Sequence, residues 1–308
     1  MIATTSQSDT YQSIMEAAYR VNWRVDDLIG NGKRLDFNQP MMPDSLAGVN
    51  GIECLNNREK LILNQIRGNS YLHLFGVVEE FIVPLVLDHV RRAGHEDIYA
   101  TQAFLCFAEE ESKHIHLFRR FAEEFDLGFG TPCGCIGPAQ AIADAVLQHS
   151  PLGVALAVLQ IEWMSQQHYL DSIQNNQDLD PQFCSLLRHH WLEEAQHARL
   201  DTLMVESLVN ALDAEGIQKG IEDYFAIGSF LESGLMNQVQ LDIESLEKAT
   251  GRTFSDAEKQ QIQAVQEKSY RWTFLGSGMT HPNFIKTLRE ISPAAVDRVT
   301  EMVNAMRA

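Results

Sequence analysis

Two Glu-x-x-His motifs, Glu111–His114 and Glu194–His197, are the sequence features with the clearest capacity for chemistry. On an α-helix, residues three apart project from the same face, so each motif can offer a carboxylate oxygen and an imidazole nitrogen to one cation. The chain contains only these two copies. Because a single copy is a common accident of sequence, the case for a metal site depends on what accompanies the pair.

Two solitary glutamates repeat the spacing of the motifs. Glu79 precedes Glu111 by the same interval, 32 positions, as Glu162 precedes Glu194. The second set follows the first at an offset of 83 positions. This internal repeat predicts two helix pairs related by an approximate two-fold axis, the arrangement found in di-iron and di-manganese carboxylate bundles. It also selects Glu79 over Glu80, which points about 100° away on a helix.

The sequence around both solitary glutamates predicts that they are buried. Glu79 lies in GVVEEFIVPLVL and Glu162 lies in VALAVLQIEWM. A buried carboxylate without a partner is strongly destabilising or becomes protonated. Basic residues that could neutralise these carboxylates are lacking in both stretches, so two bound cations are the better explanation.

His190 breaks the symmetry of the repeat. It precedes Glu194 by four positions, so His190, Glu194 and His197 share one helix face as His-x-x-x-Glu-x-x-His. The equivalent position in the first half of the repeat is Phe107. The predicted ligand set therefore contains four carboxylates and three imidazoles, which favour iron or manganese over zinc. Its members are Glu79, Glu111, His114, Glu162, His190, Glu194 and His197.

Helical periodicity dominates the chain, and the sequence predicts an all-α fold. We predict a ferritin-like four-helix bundle with additional N- and C-terminal helices, in one domain spanning 1–308 with its metal-binding core at 59–212. The long connection at 127–150 permits the crossover of such bundles. The predicted core helices are 59–93, 97–126, 151–175 and 181–212. The additional helices are 9–29 and, within 213–308, 216–249, 255–275 and 282–307.

Composition and charge narrow the class of function. The 308 residues carry a formal net charge of −18, which disfavours nucleic acid and membrane surfaces as partners. The sequence starts without the basic and apolar regions of a secretory signal, so we expect a cytoplasmic protein. The five cysteines do not resemble a disulfide framework. Cys133 and Cys135 are interpreted as free thiols in a loop, and a redox or metal role is the alternative.

The ligand pattern resembles that of the AurF-like p-aminobenzoate N-oxygenases, with the third histidine as the distinguishing position. The resemblance covers about 60–210, including the segment VVEEFI around Glu79, and extends more loosely to the C-terminal helices. It implies two iron ions, with manganese as the alternative, and no catalytic residue beyond the metal ligands. It further implies O2, a small amine or acid as substrate, and an external electron donor such as a ferredoxin or a reductase; a homodimer is expected.

Other functions fit the same pattern. Hydroxylation of carbon competes with oxidation of an amine nitrogen, and a ferritin-like iron oxidase or storage protein would use a similar bundle. Manganese catalase chemistry and a structural bundle without metal are more distant alternatives. Gln166 and Tyr169 are either pocket or packing residues, and Asp201 is either a group that orients a histidine or a solvated carboxylate.

Overall fold

The structure, a computed structural model, describes residues 7–93 and 97–307. These residues form α-helices and the π-helical segments Tyr169–Ile173 and Trp272–Gly276, joined by turns and irregular segments, and the described chain contains no β-strand. The all-α prediction is confirmed. The helices are α1 (Gln7–Ala18), α2 (Val25–Leu28), α3 (Asp44–Ala47), α4 (Asn57–Ala93), α5 (Ile98–Phe129), α6 (Ala139–Leu147), α7 (Pro151–His168), α8 (Pro181–Asn210), α9 (Ala214–Thr250), α10 (Asp256–Arg271), α11 (Ser277–Met279), α12 (Pro282–Ile291) and α13 (Pro293–Arg307).

The predicted four-helix bundle consists of α4, α5, α7 and α8. Helix α4 pairs with α5, α7 pairs with α8, and the two pairs meet through α5 with α8 and α4 with α7. A long segment that contains α6 connects the pairs, as the sequence predicts for a ferritin-like crossover. Each hairpin therefore carries one half of the repeat in the ligand pattern.

Local sequence explains where the bundle helices begin. The side chain of Asp97 accepts hydrogen bonds from the first turn of α5. Ser150 and Asp180 cap α7 and α8 in the same way, and each is followed by a proline at the first helical position. Such caps satisfy backbone N–H groups that have no partner within the helix. They fix the helix ends, and with them the register at which the ligands face one another.

The additional helices cover the bundle on two sides. Helix α1 packs on α5 and α8, whereas α9 packs on α4 and α7 and is itself covered by α10. A capping box is present at the start of α10, between Ser255 and Glu258. Within α4, an apolar stretch meets the length and composition of a membrane-spanning helix, but 61% of that stretch is buried in the protein. A buried core helix passes the same test, so this stretch is weak evidence for a membrane span.

Two predicted helices are shorter in the structure. The helix predicted at 9–29 ends at Ala18, and only Val25–Leu28 is helical beyond it. Val21 and Asn22 in the gap are poor helix formers. The helix predicted at 282–307 is divided at Ser292, whose extended backbone precedes Pro293. A proline disfavours the helical conformation of the residue before it, which explains the break.

Candidate metal centre

All seven residues predicted as ligands lie inside the bundle and are almost completely buried. None is more than 4% exposed, and Glu111, His114 and His197 are inaccessible to solvent. Helices α4 and α7 each supply one glutamate, and helices α5 and α8 each supply a Glu-x-x-His motif, to which α8 adds His190. This is the arrangement that the repeat requires. The structure thus brings together residues that are up to 118 positions apart in sequence, from Glu79 to His197.

The ligand atoms form two overlapping groups. In the first, Glu111, His114, Glu194 and His197 each present an oxygen or nitrogen atom, and these atoms lie within 4.8 Å of one another. In the second, Glu79, His114 and His190 do the same. Glu162 belongs to neither group, but its carboxyl is hydrogen-bonded to that of Glu194. All seven predicted residues therefore belong to one connected cluster.

The two motif histidines turn the same nitrogen towards the cluster. His114 Nδ1 lies 3.5 Å from Glu111 Oε2 and 3.4 Å from Glu194 Oε1. His197 Nδ1 lies 2.7 Å from Glu111 Oε1 and 3.5 Å from Glu194 Oε1. With Nε2 directed away and hydrogen-bonded, each Nδ1 is free to act as a metal ligand.

Two further glutamates fix the orientation of these histidines. His114 Nε2 donates to Glu193 Oε2 at 2.9 Å, and His197 Nε2 donates to Glu110 Oε2 at 2.9 Å. Each glutamate directly precedes the glutamate of its own motif and bonds the histidine of the other helix. This crossed pairing holds α5 and α8 together and sets the tautomer in which Nδ1 faces the cluster.

His190 and Phe107, which are equivalent positions in the sequence repeat, each pack against the motif histidine of the neighbouring helix. The ring of His190 lies 4.5 Å from that of His114, and the ring of Phe107 lies 4.3 Å from that of His197. The repeat in the sequence is thus visible as a pseudo-two-fold relation in the structure. Nε2 of His190 lies 3.2 Å from Glu79 Oε1 and 3.0 Å from Glu194 Oε1, so the histidine adds a nitrogen ligand that phenylalanine cannot provide.

Electrostatics within the cluster divide the four carboxyl groups into two pairs. Burial, reinforced by a neighbouring carboxylate, raises the pKa of Glu79 and of Glu162 well above the usual range. Burial acts in the same direction on Glu111 and Glu194, but the charge of nearby histidines and hydrogen bonds outweigh it and lower their pKa values. In the metal-free protein Glu79 and Glu162 are therefore protonated, which lowers the negative charge of the cluster. Bound cations would neutralise that charge instead.

Burial and the neighbouring glutamates also shift the pKa values of the three histidines. Burial alone would lower the pKa of His114, but hydrogen bonds and charge from neighbouring glutamates raise it to about 9. The same balance raises the pKa of His197 well above its usual range. Burial dominates at His190 and lowers its pKa to about 4. Metal binding would displace these protons and substitute for their charge.

Unpartnered polar atoms provide a test of whether the cluster fits metal ions. Among the described residues, buried side-chain atoms without a hydrogen-bond partner include both carboxylate oxygens of Glu111, Oε2 of Glu162, Oε1 of Glu194, and Nδ1 of His114 and of His197. Buried polar atoms without partners are rare in folded proteins. Because these atoms belong to predicted ligands, the donor set fits a pair of oxygen- and nitrogen-ligated cations.

Sequence reasoning missed three residues next to the cluster. Glu110 and Glu193 bond the motif histidines, and Lys113 Nζ lies 2.5 Å from Glu193 Oε1. A signal for the glutamates was present, because each motif reads Glu-Glu-x-x-His and the extra glutamate repeats at the same offset as the rest of the pattern. For Asp201 the sequence allows either a solvated carboxylate or a group that orients a histidine. The side chain is fully buried, so the solvated alternative is wrong, and burial raises its pKa.

The remaining candidates from the sequence are Gln166, Tyr169, Cys133 and Cys135, and none of them belongs to the two groups of ligand atoms. Tyr169 stacks on Trp191 with 4.6 Å between ring centroids, and Gln166 is buried on α7. Cys133 and Cys135 are free thiols in an irregular segment, as interpreted from the sequence. Burial raises the pKa of both, to about 12 for Cys133, which disfavours the thiolate needed for redox or metal chemistry.

The chain matches no protein-family model and no curated protein. Solved structures similar to it include an R2-like ligand-binding oxidase variant with an Fe/Fe cofactor, at 14% identity and a TM-score of 0.47 over 86% of this chain and 92% of that chain. A variant with a Mn/Fe cofactor gives 14% identity and a TM-score of 0.47 over 86% and 91% of the respective chains. This degree of similarity assigns no activity to the chain.

Proposed function

We propose that the protein is a non-haem dimetal oxidoreductase that uses O2 to oxidise a small organic molecule, with an amine nitrogen as the target. The single observation that carries the proposal is the buried cluster of four glutamates and three histidines, whose unpartnered atoms lie close enough to share cations. Two iron ions are the proposed cofactor, with manganese as the alternative. The resemblance to AurF-like N-oxygenases supports the amine.

The seven clustered residues would hold the ions, which supply the redox chemistry that activates O2. The protein supplies orientation and a dry site. Glu110 and Glu193 hold the imidazole rings through Nε2, and Lys113 offsets the negative charge of Glu193 at 2.5 Å. The buried rings of Phe75, Phe107 and Phe118 pack around the histidines and exclude water. Exclusion of water protects reactive oxidants from wasteful side reactions.

The decisive experiment begins with metal content. Protein loaded anaerobically with Fe²⁺ should retain two ions per chain after desalting, and it should consume O2 when exposed to it. A panel of aromatic and aliphatic amines, with the matching acids and alcohols, would then be screened by mass spectrometry for the gain of one or more oxygen atoms. Oxygen gain at nitrogen supports the proposal.

Two results would contradict this function. Protein without stoichiometric iron or manganese would leave the cluster as a structural feature. O2 consumption with iron deposition, but without an oxidised organic product, would indicate an iron oxidase. The size of the assembly helps to separate these outcomes, because iron storage requires a hollow shell of many subunits.

A further inference from the structure

A small apolar cavity lies beside the metal cluster, between the first helices of the two hairpins. Helices α4 and α7 form two of its walls, and α9 and the π-helical segment Trp272–Gly276 contribute the others, together with residues around α6. Its lining includes Val78 and Ile161, which directly precede Glu79 and Glu162 in the sequence. The cavity therefore lies at the level of the two solitary glutamates.

Phe75 forms the wall between the cavity and the cluster. Its side chain lines the cavity, and its ring lies 5.7 Å from that of His190, a predicted ligand. Phe75 is buried, whereas Val77, Ile136 and Leu231, which also line the cavity, are only half-buried. The cavity thus leads from near the protein surface to a ring that packs against the cluster.

The lining of the cavity is apolar throughout. All thirteen described residues that line it are leucine, isoleucine, valine, phenylalanine or methionine. Four larger pockets in the described part of the chain differ, because each of them carries charged side chains. Burying a polar molecule without hydrogen-bond partners is unfavourable. The lining therefore disfavours water, ions and polar substrates.

The size of the cavity restricts its occupant further. Its volume is about 50 Å³, whereas pockets for organic ligands span about 300–1,000 Å³. An apolar cavity of about 150 Å³ stays dry and binds benzene or xenon, so a cavity of one third that volume suits a molecule of very few atoms. O2 is the one reactant of the proposed function that is both this small and apolar.

We propose that this cavity binds O2 and supplies it to the metal centre past the ring of Phe75. The inference rests on the proposed function, in which O2 is the oxidant. O2 carries no charge and no dipole, so moving it from water into the cavity breaks none of the interactions that keep polar molecules out. An apolar route admits O2 and excludes water, so the site stays dry while it is supplied.

Xenon binding is the first test, and it requires neither iron nor turnover. Xenon is an apolar atom that occupies dry apolar cavities. In crystals of the full chain under xenon pressure, we expect xenon density between Phe75 and Leu231. The larger ring of Leu231→Phe should fill the outer end of the cavity and reduce the xenon occupancy. Leu208→Phe is the matched control, because Leu208 is also half-buried against the core but does not line the cavity.

The second test measures the reaction with O2 directly. Protein loaded with Fe²⁺ under anaerobic conditions is mixed with O2 in a stopped-flow instrument, and the second-order rate constant is obtained from its dependence on O2 concentration. We expect Leu231→Phe to lower this rate constant about ten-fold at unchanged iron content. Leu231→Ala, which widens the same end of the cavity, should keep or raise the wild-type value. Leu208→Phe should react like the wild type.

Several results would overturn the O2 site. One is a wild-type cavity without xenon, and another is a wild-type rate constant in Leu231→Phe. A Leu231→Phe variant that raises the KM for the organic substrate but leaves the reaction with O2 unchanged would show that the cavity holds part of that substrate instead. If Leu231→Phe does not fold or loses iron, Leu231→Ala decides, because a rate constant below that of the wild type would contradict a supply route.

Failure of this inference can be told apart from failure of the proposed function. Xenon binding is measured without metal, and the rate constant for O2 is measured without an organic substrate. An unchanged rate constant in Leu231→Phe, with oxidised amine still formed, would remove the supply route and leave the proposed function standing. Wild-type protein that binds iron but consumes no O2 would overturn both.

Discussion

His114 Nε2 lies 2.9 Å from Oε2 of Glu193, a residue on the opposite hairpin. The mirror contact joins His197 to Glu110 at the same distance. Helix α8 therefore supplies the glutamate that orients the histidine of α5, and helix α5 supplies the glutamate that orients the motif histidine of α8. Such carboxylate partners raise the basicity of a ligating imidazole and fix its tautomer.

Removing the charge of Glu193 should weaken metal binding without unfolding the protein. In Glu193→Gln, the amide oxygen can still accept from His114, but the negative charge beside Lys113 is lost. We expect metal affinity to fall by roughly ten- to a hundred-fold, as is usual for such partners. Competition titration with a metal-binding dye measures the change. Glu109→Gln, an exposed neighbour of Glu110, is the control, and equal affinities for both variants would refute the assigned role.

The selection of Glu79 over Glu80 can be tested with a matched pair of amides. Burial raises the pKa of Glu79, so in the metal-free protein its carboxyl is protonated and uncharged, and the neutral amide of Glu79→Gln resembles it in shape and charge. We expect its metal-free stability to change by less than about 1 kcal/mol, whereas fewer than two ions are retained. Chemical denaturation and metal analysis give the two quantities.

The matched variant Glu80→Gln should give a different pattern. Glu80 pairs with Arg119 at 2.6 Å, and the arginine side chain is 65% exposed. Exposed pairs contribute less than about 1 kcal/mol, so stability should change little and metal content should stay at two ions. Loss of metal in Glu80→Gln rather than in Glu79→Gln would show that the register taken from the repeat is wrong.

Helical spacing made the cluster predictable. A repeat of identical residue types at a fixed offset constrains two helix pairs at once, and the structure places the seven residues together as that repeat requires. Their role as metal ligands stays a prediction. The long bundle helices were predictable for the same reason, since apolar periodicity over several turns leaves few alternatives.

Features that depend on contacts between distant segments were not predictable. The end of α1 at Ala18 follows a stretch that looks amphipathic, and the segment after it instead places Trp23 against His114. Nothing in the local pattern around Trp23 indicates this partner, which lies 91 positions away. The burial of Asp201 likewise depends on packing between helices rather than on its own neighbours.

His168 should make the stability of the metal-free protein depend on pH. It is buried, its Nδ1 lies 3.3 Å from the Tyr71 hydroxyl, and its Nε2 lies 3.0 Å from Ser277 Oγ. Burial lowers its pKa from 6.5 to about 3. Between these values the unfolded chain binds a proton that the folded protein does not, so stability falls as the pH falls and is fully present only above about 6.5.

The His168 contribution can be isolated by a variant that does not titrate. One proton corresponds to about 1.4 kcal/mol per pH unit, so lowering the pH from about 7 to about 5 should cost the wild type about 2 kcal/mol through this group. In His168→Gln that share of the loss should disappear. Urea denaturation at both pH values measures the difference, and an identical pH dependence in the two proteins would exclude His168 as its source.

The two halves of the repeat differ at one equivalent position, which is Phe107 in the first half and His190 in the second. Exchanging these residue types gives a reciprocal pair of substitutions. His190→Phe copies the residue found at the equivalent position, Phe107, and removes one nitrogen from the cluster. We expect one of the two ions to bind about ten-fold more weakly or worse, while the other is retained. Stepwise titration with Fe²⁺ or Mn²⁺ under anaerobic conditions resolves the two affinities, and two unchanged affinities would remove His190 from the ligand set.

Phe107→His is the reverse exchange and separates ligation from packing. Phe107 is fully buried, so an imidazole there without a partner should destabilise the metal-free protein by about 1–3 kcal/mol. Its ring stacks on His197, one of the predicted ligands, so a nitrogen at position 107 could reach an ion in that half. If it does, metal should restore more stability to Phe107→His than to the wild type. Equal stabilisation of both proteins by metal would show that position 107 serves packing alone.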